Sequence, residues 1–490
     1  MRKYVCFIAF SLLLVFASCK KNVSYSEDTS LRVSFSTDTI AFDTVFTTIG
    51  SSTRQLMIYN NNDENLKISS IRLENGNQSQ FAINVDGEAG YNFSDIEIYA
   101  KDSIFVFIRV TINPNDYNNP FFVEDKIIFE TNGNKQTVSL TAYGQNANYI
   151  IADQYINGFP KFKIVADSLQ VTRWTAERPY VVYGYALINS YGTLVIEPGT
   201  QVHFHNGGGL WAYSEAQLRV EGSPENPVVF QGDRLEAYYE DEPGQWDRIW
   251  LMEAREGYGH SINYAIIKNG FIGIQAQTFL KNNMAPLNIH NTIIDNHTGM
   301  GIYSNLYNLK ATNFVISNCG NYGIALTGGG EYIFEQGTIA NYWTKGTRTT
   351  PSLFLNNVYQ SPVDGNGYAY NFYFEMNNCI LYGNHQDEFN TDFYPGPDTT
   401  YYFNNSLLKT NRRNGEYFTN FNECIFNESP KLINNDFDYH LGEGSPAIGI
   451  GNPFYSTGQL QFDLDGVDRG NHPDAGAYQY VPIVEERSRK

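Results

Sequence analysis

"AIIKN" (265–269), "TIIDN" (292–296), "FVISN" (314–318) and "TIAN" (338–341) are copies of one short phrase. Looser copies follow as "CILYGN" (379–384), "SLLKTN" (406–411) and "CIFN" (424–427). With Ile266, Ile293, Val315, Thr338, Val358, Ile380, Leu407 and Ile425 taken as equivalent, the steps are 27, 22, 23, 20, 22, 27 and 18 residues. A period in the low twenties with irregular insertions is the mark of a solenoid. Each copy is too short to bury its own apolar face, so the copies must stack.

The aliphatic pair in each copy is β-branched and suits a pleated strand. An Asn follows it in Asn269, Asn296, Asn318 and Asn341. Asn tolerates left-handed backbone at a corner. Equivalent amides in stacked coils would lie about 4.8 Å apart and form a ladder. A second phrase follows as Gly273-Ile274, Gly301-Ile302 and Gly323-Ile324, in which Gly suits a bend and Ile starts the next inward strand. No stretch sustains helical periodicity. The leucine-rich repeat phrase is absent and Leu is scarce in these coils. The expected architecture is an all-β parallel β-helix.

Residues 1–18 read as a leader. Arg2 and Lys3 precede the short apolar run "YVCFIAFSLLLVF". "FASC" ending at Cys19 resembles a bacterial lipobox, which implies cleavage before Cys19 and a lipid on its sulfur; an ordinary signal peptide is the competing reading. Residues 19–30 read as a polar tether. No later segment is apolar for about 18 residues, so the membrane would be met through the lipid alone. Lys and Arg number 33 against 52 Asp and Glu, a net −19, or −21 once Arg2 and Lys3 are removed. Such a chain repels nucleic acid and other polyanions. Cys319, Cys379 and Cys424 remain, an odd number. Cys379 and Cys424 lie two coils apart, about 9–10 Å, beyond the roughly 7 Å reach of a disulfide, so buried thiols are expected.

Residues 31–145 contain seven short alternating runs, among them "QLMIYN", "FAINV", "SIFVFIRVTI" and "TVSLTAYG", separated by clusters such as "NNNDEN" and "NPNDYNNP". This pattern reads as an antiparallel sandwich. It resembles the bacterial Ig-like domains of the abnormal-spindle and hydin type, which implies a spacer or a module that contacts a protein partner. Residues 146–190 read as a linker and solenoid cap. "GTLVIEPGTQVHFHNGGGLWA" then resembles the opening coils of secreted right-handed parallel β-helix proteins, through Leu194, Ile196, Pro198, Gly199, Thr200, Val202 and Phe204. "LGEGSPAIGIG" and "DLDGVDRGNHPDAGAYQY" resemble the C-terminal phrases of Bacteroidetes-type β-helix proteins. Gly449 and Gln479 depart from that pattern, where Asp and Glu are usual. The resemblance spans roughly 180–480. It assigns 191–480 to the helix with a C-terminal cap, leaving 481–490 as a polar tail.

The β-helix resemblance implies a polysaccharide ligand in a groove along one side. Two insertions combine rings with acids, "RLEAYYEDEPGQW" (234–246) and "HQDEFNTDFYPGPDTTYY" (385–402). They nominate Tyr238, Tyr239, Trp246, Phe389, Phe393 and Tyr394 as sugar platforms, against the reading that such rings stack inside the coils. Glu240, Asp241, Glu242, Asp387 and Glu388 could supply the carboxylate pair of a hydrolase, at a spacing of roughly 5–10 Å. Lys409, Arg412 and Arg413 are the candidate bases of a lyase, against a merely solvated charged turn. His203 and His205 alternate on one strand and would face the same way. Asp463, Asp465 and Asp468 in "DLDGVD" suit a calcium loop, although Asp474 stands where an EF-hand has its last Glu; a plain turn is the alternative. The leading expectation is a lipid-anchored outer-membrane protein that binds carbohydrate, facing either the periplasm or the cell surface. A non-catalytic spacer or adhesin, and a polysaccharide lyase or hydrolase, are the alternatives.

Overall fold

The computed structural model describes residues 23–115, 120–278, 285–412, 419–435 and 437–482. The leader 1–18, Cys19, Arg413 and most of the tail 481–490 lie outside them. The chain divides into two compact units, Met1–Gln145 and Asn146–Lys490.

In the first unit ten strands form two sheets of five. All pairs are antiparallel except Thr39–Phe46 beside Asn134–Gln145, which run parallel. Leu66 and Ile68 point inward, and after a break in register so do Ile71 and Leu73, with Leu56, Ile58, Val106, Ile108, Phe129 and Leu140 in the same core. Thr39–Phe46 and Asn92–Ile98 were not among the seven expected runs. Asp43 and Thr44 interrupt the alternation of the first, and Asp95, with left-handed backbone, interrupts that of the second.

The second unit is built from an 18-stranded and a nine-stranded sheet whose neighbours pair in parallel. The arrangement is compatible with a β-helix solenoid. A complete coil places one long bent strand on the larger sheet and one short strand on the smaller. Leu287–His297, Met300–Asn305, Leu309–Cys319, Ile324–Thr327 and Gly330–Asn341 follow in that alternation. The expected rungs are in register, running Ile266, Ile293, Val315, Thr338, Ile380, Leu407, Ile425. Val358 is not one of them. It belongs to an antiparallel hairpin with Gly367–Ala369, inserted between the coil strands Leu353–Asn356 and Phe372–Asn377.

Strand alternation sends the two members of each aliphatic pair in opposite directions. Ile267, Ile294, Ile316, Ile339, Leu381 and Leu408 enter the coil core. Phe314, Phe334, Phe374 and Phe403 follow one another through that core at 5.6, 5.7 and 5.4 Å between centroids, the first pair edge-on and the others tilted. The other members face outward, and there the C-terminal segment covers them. Tyr439, Ala477 and Tyr478 pack with Ile293 and Val315, while Leu441, Ala447 and Ala475 pack with Ile380 and Leu407. The segment expected as an end cap therefore runs along the flank, where an aliphatic row would otherwise meet water. Buried Arg469 helps to tie it down, its Nη2 donating to Asn313 Oδ1 and the Ala477 carbonyl, both at 3.0 Å.

Asn269, Asn296 and Asn318 are left-handed, and Asn296 Nδ2 donates to Asn269 Oδ1 at 2.8 Å. The expected ladder stops there, because Asn318 turns instead to Asp295 and Tyr439. A second ladder stands where the long strands bend. Asn313 donates to Asn291 at 3.1 Å and Asn291 to Asn263 at 3.0 Å, and both bend residues, Asn291 and Asn313, are left-handed. Two glycines of the Gly-Ile phrase lie inside the strands Gly270–Gln277 and Met300–Asn305 and have another reason. Gly273 and Gly301 have no left-handed backbone; a Cβ on either would lie 2.6 Å from the Cγ2 of Ile294 or Ile316. Gly301→Ala is expected to overpack the core and destabilise the unit by about 1–3 kcal/mol, read from the midpoint of urea unfolding.

Candidate functional site

The insertion 234–246 folds back onto the corner of the larger sheet. Arg234 pairs with Glu236 at 2.7 Å and lies over the Tyr239 ring at 4.7 Å. Asn269 Nδ2 donates to the Glu240 carbonyl at 2.7 Å, and Asn296 Nδ2 to the Asp241 carbonyl at 2.9 Å. The corner amides thus hang the loop over the flank. Beneath it is a cleft of about 290 Å³ lined by Asp241, Asp295, Asn296, Asn318, Trp343, Thr344, Lys345 and Phe437. Glu242 and Lys345 approach to 3.6 Å at its edge.

Asp295 is the perturbed acid of this cleft. Its Oδ1 accepts from Ser317 Oγ at 2.6 Å and Asn318 Nδ2 at 3.2 Å. Burial pushes its carboxyl above the usual range and the Asp241 charge adds to this, against those two bonds and the Lys268 charge. A carboxyl pushed above its usual range, a second carboxylate, an ammonium and two rings converge here, one of them Phe437, 77% exposed. Such a set can hydrogen-bond hydroxyls and exchange a proton with a ligand.

The rings nominated from the sequence are scattered. Tyr238 and Tyr394 are 76% and 64% exposed, and Tyr239 is under Arg234. Trp246 and Phe389 are corrections, because both lie in the coil core and offer no face to a sugar. Trp246 stacks on Phe204 at 4.6 Å and donates Nε1 to the Lys268 carbonyl. Phe393 packs against Phe372 and Tyr401 at the core margin. The insertion 385–402 contributes nothing to the cleft. Glu388 is buried and paired with Arg348 at 2.7 and 2.8 Å, with Ser352 Oγ at 2.7 Å and the His385 amide at 2.8 Å. Burial would raise its carboxyl, but Arg348, Ser352 and the His385 amide together outweigh this and hold it below the usual range. It is a staple for the loop. Asp387 accepts from Thr410 at 2.7 Å.

Lys409 donates to the Gly383 carbonyl at 2.6 Å, and Arg412 to Thr391 at 3.1 Å and to Asn390. Neither lines the cleft. His203 and His205 find separate partners. His203 is buried against the Gly232 carbonyl at 2.9 Å and pulled down to about 4 by desolvation, while His205 meets Asp233 at 2.7 Å. In "DLDGVD" the carboxylates named for calcium are engaged by the protein itself. Asp463 spends Oδ1 on the amides of Asp465 and Val467, at 2.9 and 2.7 Å, and Oδ2 on that of Gln479 at 2.7 Å. Asp465 meets His440 at 2.8 Å and Asp468 accepts from the Gly470 amide at 2.9 Å. Among the described residues no three His, Cys, Asp or Glu side chains are grouped to hold a metal. Gln479 and Gly449 both bond Asp474, through its amide and its Oδ1.

No family model and no curated protein matches the chain. Among solved structures, the catalytic unit of a GH87 α-1,3-glucanase from Streptomyces thermodiastaticus is 10% identical, with 72% of each chain covered and a TM-score of 0.27. A family 123 glycoside hydrolase from Clostridium perfringens is 11% identical over 24% of this chain and 30% of its own length, TM-score 0.17. An ASH/PapD-like domain of human CEP192 is 13% identical over 26% of this chain and 92% of its own, TM-score 0.17. Superpositions this slight carry no argument about function.

The Asp295 carboxyl generates a pH signature. Its folded value lies above the usual 3.8 of a free Asp carboxyl, so its contribution to stability is complete below 3.8 and is lost as pH rises through the higher folded value. Asp295→Asn should therefore raise the melting temperature at pH 7, with the gain shrinking toward pH 3 in a series of thermal melts.

Proposed function

We propose that this chain is a lipid-anchored cell-envelope protein that binds a carbohydrate chain at the cleft beneath loop 234–246. In this reading the solenoid over 191–480 is a right-handed parallel β-helix. The unit over 31–145 is an Ig-like sandwich of the abnormal-spindle and hydin type, available to a protein partner, and 146–190 joins the two. The observation that carries the reading is the convergence of Asp241, Asp295, Lys345 and the rings of Trp343 and Phe437 in one cleft. Rings meet the C–H faces of sugars and the charged and amide groups meet their hydroxyls. A net charge of −19 favours a neutral glycan over a polyuronate.

A second reading, the rigid spacer, is favoured by one feature. The C-terminal segment covers the outward aliphatic row over the coils from Ile293 to Leu407, which removes that part of the flank from any groove.

On a glycan array the full chain should be retained by at least one glycan class. Asp241→Asn and Phe437→Ala should each weaken that binding about tenfold, roughly 1.4 kcal/mol. Chelation of calcium should leave it unchanged. Retention by no glycan would leave the spacer standing. The anchor has its own test. Cys19→Ser should abolish incorporation of labelled palmitate and move the protein from the membrane to the soluble fraction.

A further inference from the structure

We infer that a trough beside the second asparagine ladder is a binding site for a small zwitterion, the backbone of an amino acid or a dipeptide, with the carboxylate at Asn263 and the ammonium at Glu221. The trough has a volume of about 550 Å³ and lies between the bends of four successive coils and the C-terminal segment. It shares no lining residue with the Asp295 cleft, so the inference stands apart from the carbohydrate reading. Arg219 pairs in register with Ser261, Glu221 with Asn263, and Asn263 with His290. Strand alternation turns all five outward, because Val220, Ile262 and Ile289 between and beside them enter the coil core.

The ladder has a direction. Arg469 Nη2 donates to Asn313 Oδ1 at 3.0 Å, Asn313 Nδ2 to Asn291 Oδ1 at 3.1 Å, and Asn291 Nδ2 to Asn263 Oδ1 at 3.0 Å. Every amide accepts from the side of the buried guanidinium and donates away from it. Each bond polarises the next, so the positive character of Arg469 is passed along the row. The row ends at Asn263, which lines the trough and whose Nδ2 has no acceptor among the described residues. A polarised donor at the mouth of a cavity is matched by a negatively charged acceptor.

Around that end the donors are spare and the acceptors are spent. The Ser261 hydroxyl has no partner among the described residues, and His290 uses only Nδ1, on Thr312. The ladder oxygens are taken, and Asp463 at the far wall already bonds three amides. A carboxylate fits this donor set. A simple anion does not, because Glu221 stands on the rung next to Asn263, about 4.8 Å away, and the whole chain carries −19. Glu221 is itself paired with Arg219. A zwitterion turns that one ion pair into two, its carboxylate meeting Arg219 and Asn263 and its ammonium meeting Glu221. Phe462, 47% exposed on the opposite wall, offers a ring to an apolar side chain of the ligand.

Isothermal titration calorimetry of the full chain tests this, with L-phenylalanine, glycylglycine, N-acetylglycylglycine, glycylglycine amide, acetate and inorganic phosphate as probes. Phenylalanine or glycylglycine should bind, and the tighter of the two tells whether the site takes a free amino acid or a peptide. Blocking either end of glycylglycine should weaken its binding tenfold or more, and acetate and phosphate should not displace it. Asn263→Asp keeps the oxygen that Asn291 needs and replaces the donor by an acceptor, so it should weaken binding of the zwitterion at least tenfold. Glu221→Gln should do the same through the ammonium. Should either variant fail to fold, as its melting temperature would show, the blocked dipeptides decide the question in the parent chain. No binding of either zwitterion overturns the proposal. So does equal binding of a blocked dipeptide, of acetate or of phosphate, and so does binding that is unchanged in both folded variants.

Discussion

Hydrogen bonds between coils are the constraint on which the second unit rests. Each strand satisfies its backbone only through the equivalent strand one turn away, so no coil is stable alone. The register from Ile266 to Ile425 is the trace of that dependence. Once the backbones are locked, inward residues become a column. A column of Phe or Ile fills the interior continuously, and a glycine has to stand wherever two walls of the coil come too close for a Cβ.

The same lock makes columns on the outside. On the larger sheet the outward aliphatic row is sealed by the C-terminal segment, and the seal is polar in its details. Arg469 is buried with Asp463 and Asp474 nearby. Burial lowers the guanidinium to about 10, and the two carboxylates oppose that shift. Both carboxylates bond backbone amides, so they hold tight turns together while offsetting the buried cation.

The asparagines of the corners do two tasks. Their left-handed backbone turns the chain, and their side chains are then free to bond whatever approaches from outside. Asn269 and Asn296 use that freedom to hold the 234–246 insertion, and Asn378 and Asn405 to hold carbonyls of the C-terminal segment. A residue type selected for a bend thus also positions the loop that carries Asp241.

Local pattern was sufficient for the all-β character, the parallel stacking and the rungs. Period and β-branching are properties of neighbours in sequence, and stacking turns them directly into columns. Val358 shows the limit, since a hairpin inside an insertion can imitate the phrase without joining the ladder. The second asparagine ladder was written in the sequence as well, in the bend residues. Its meaning appears only when coils are superposed. Tertiary structure alone decided which rings are exposed. Trp246 and Tyr238 sit in one insertion, yet one is core and the other solvated, because burial depends on where the loop returns to the coil and not on its composition. It decided likewise that Asp295, inside the clearest repeat, meets Asp241 from a distant loop, while Glu388 is used up by Arg348.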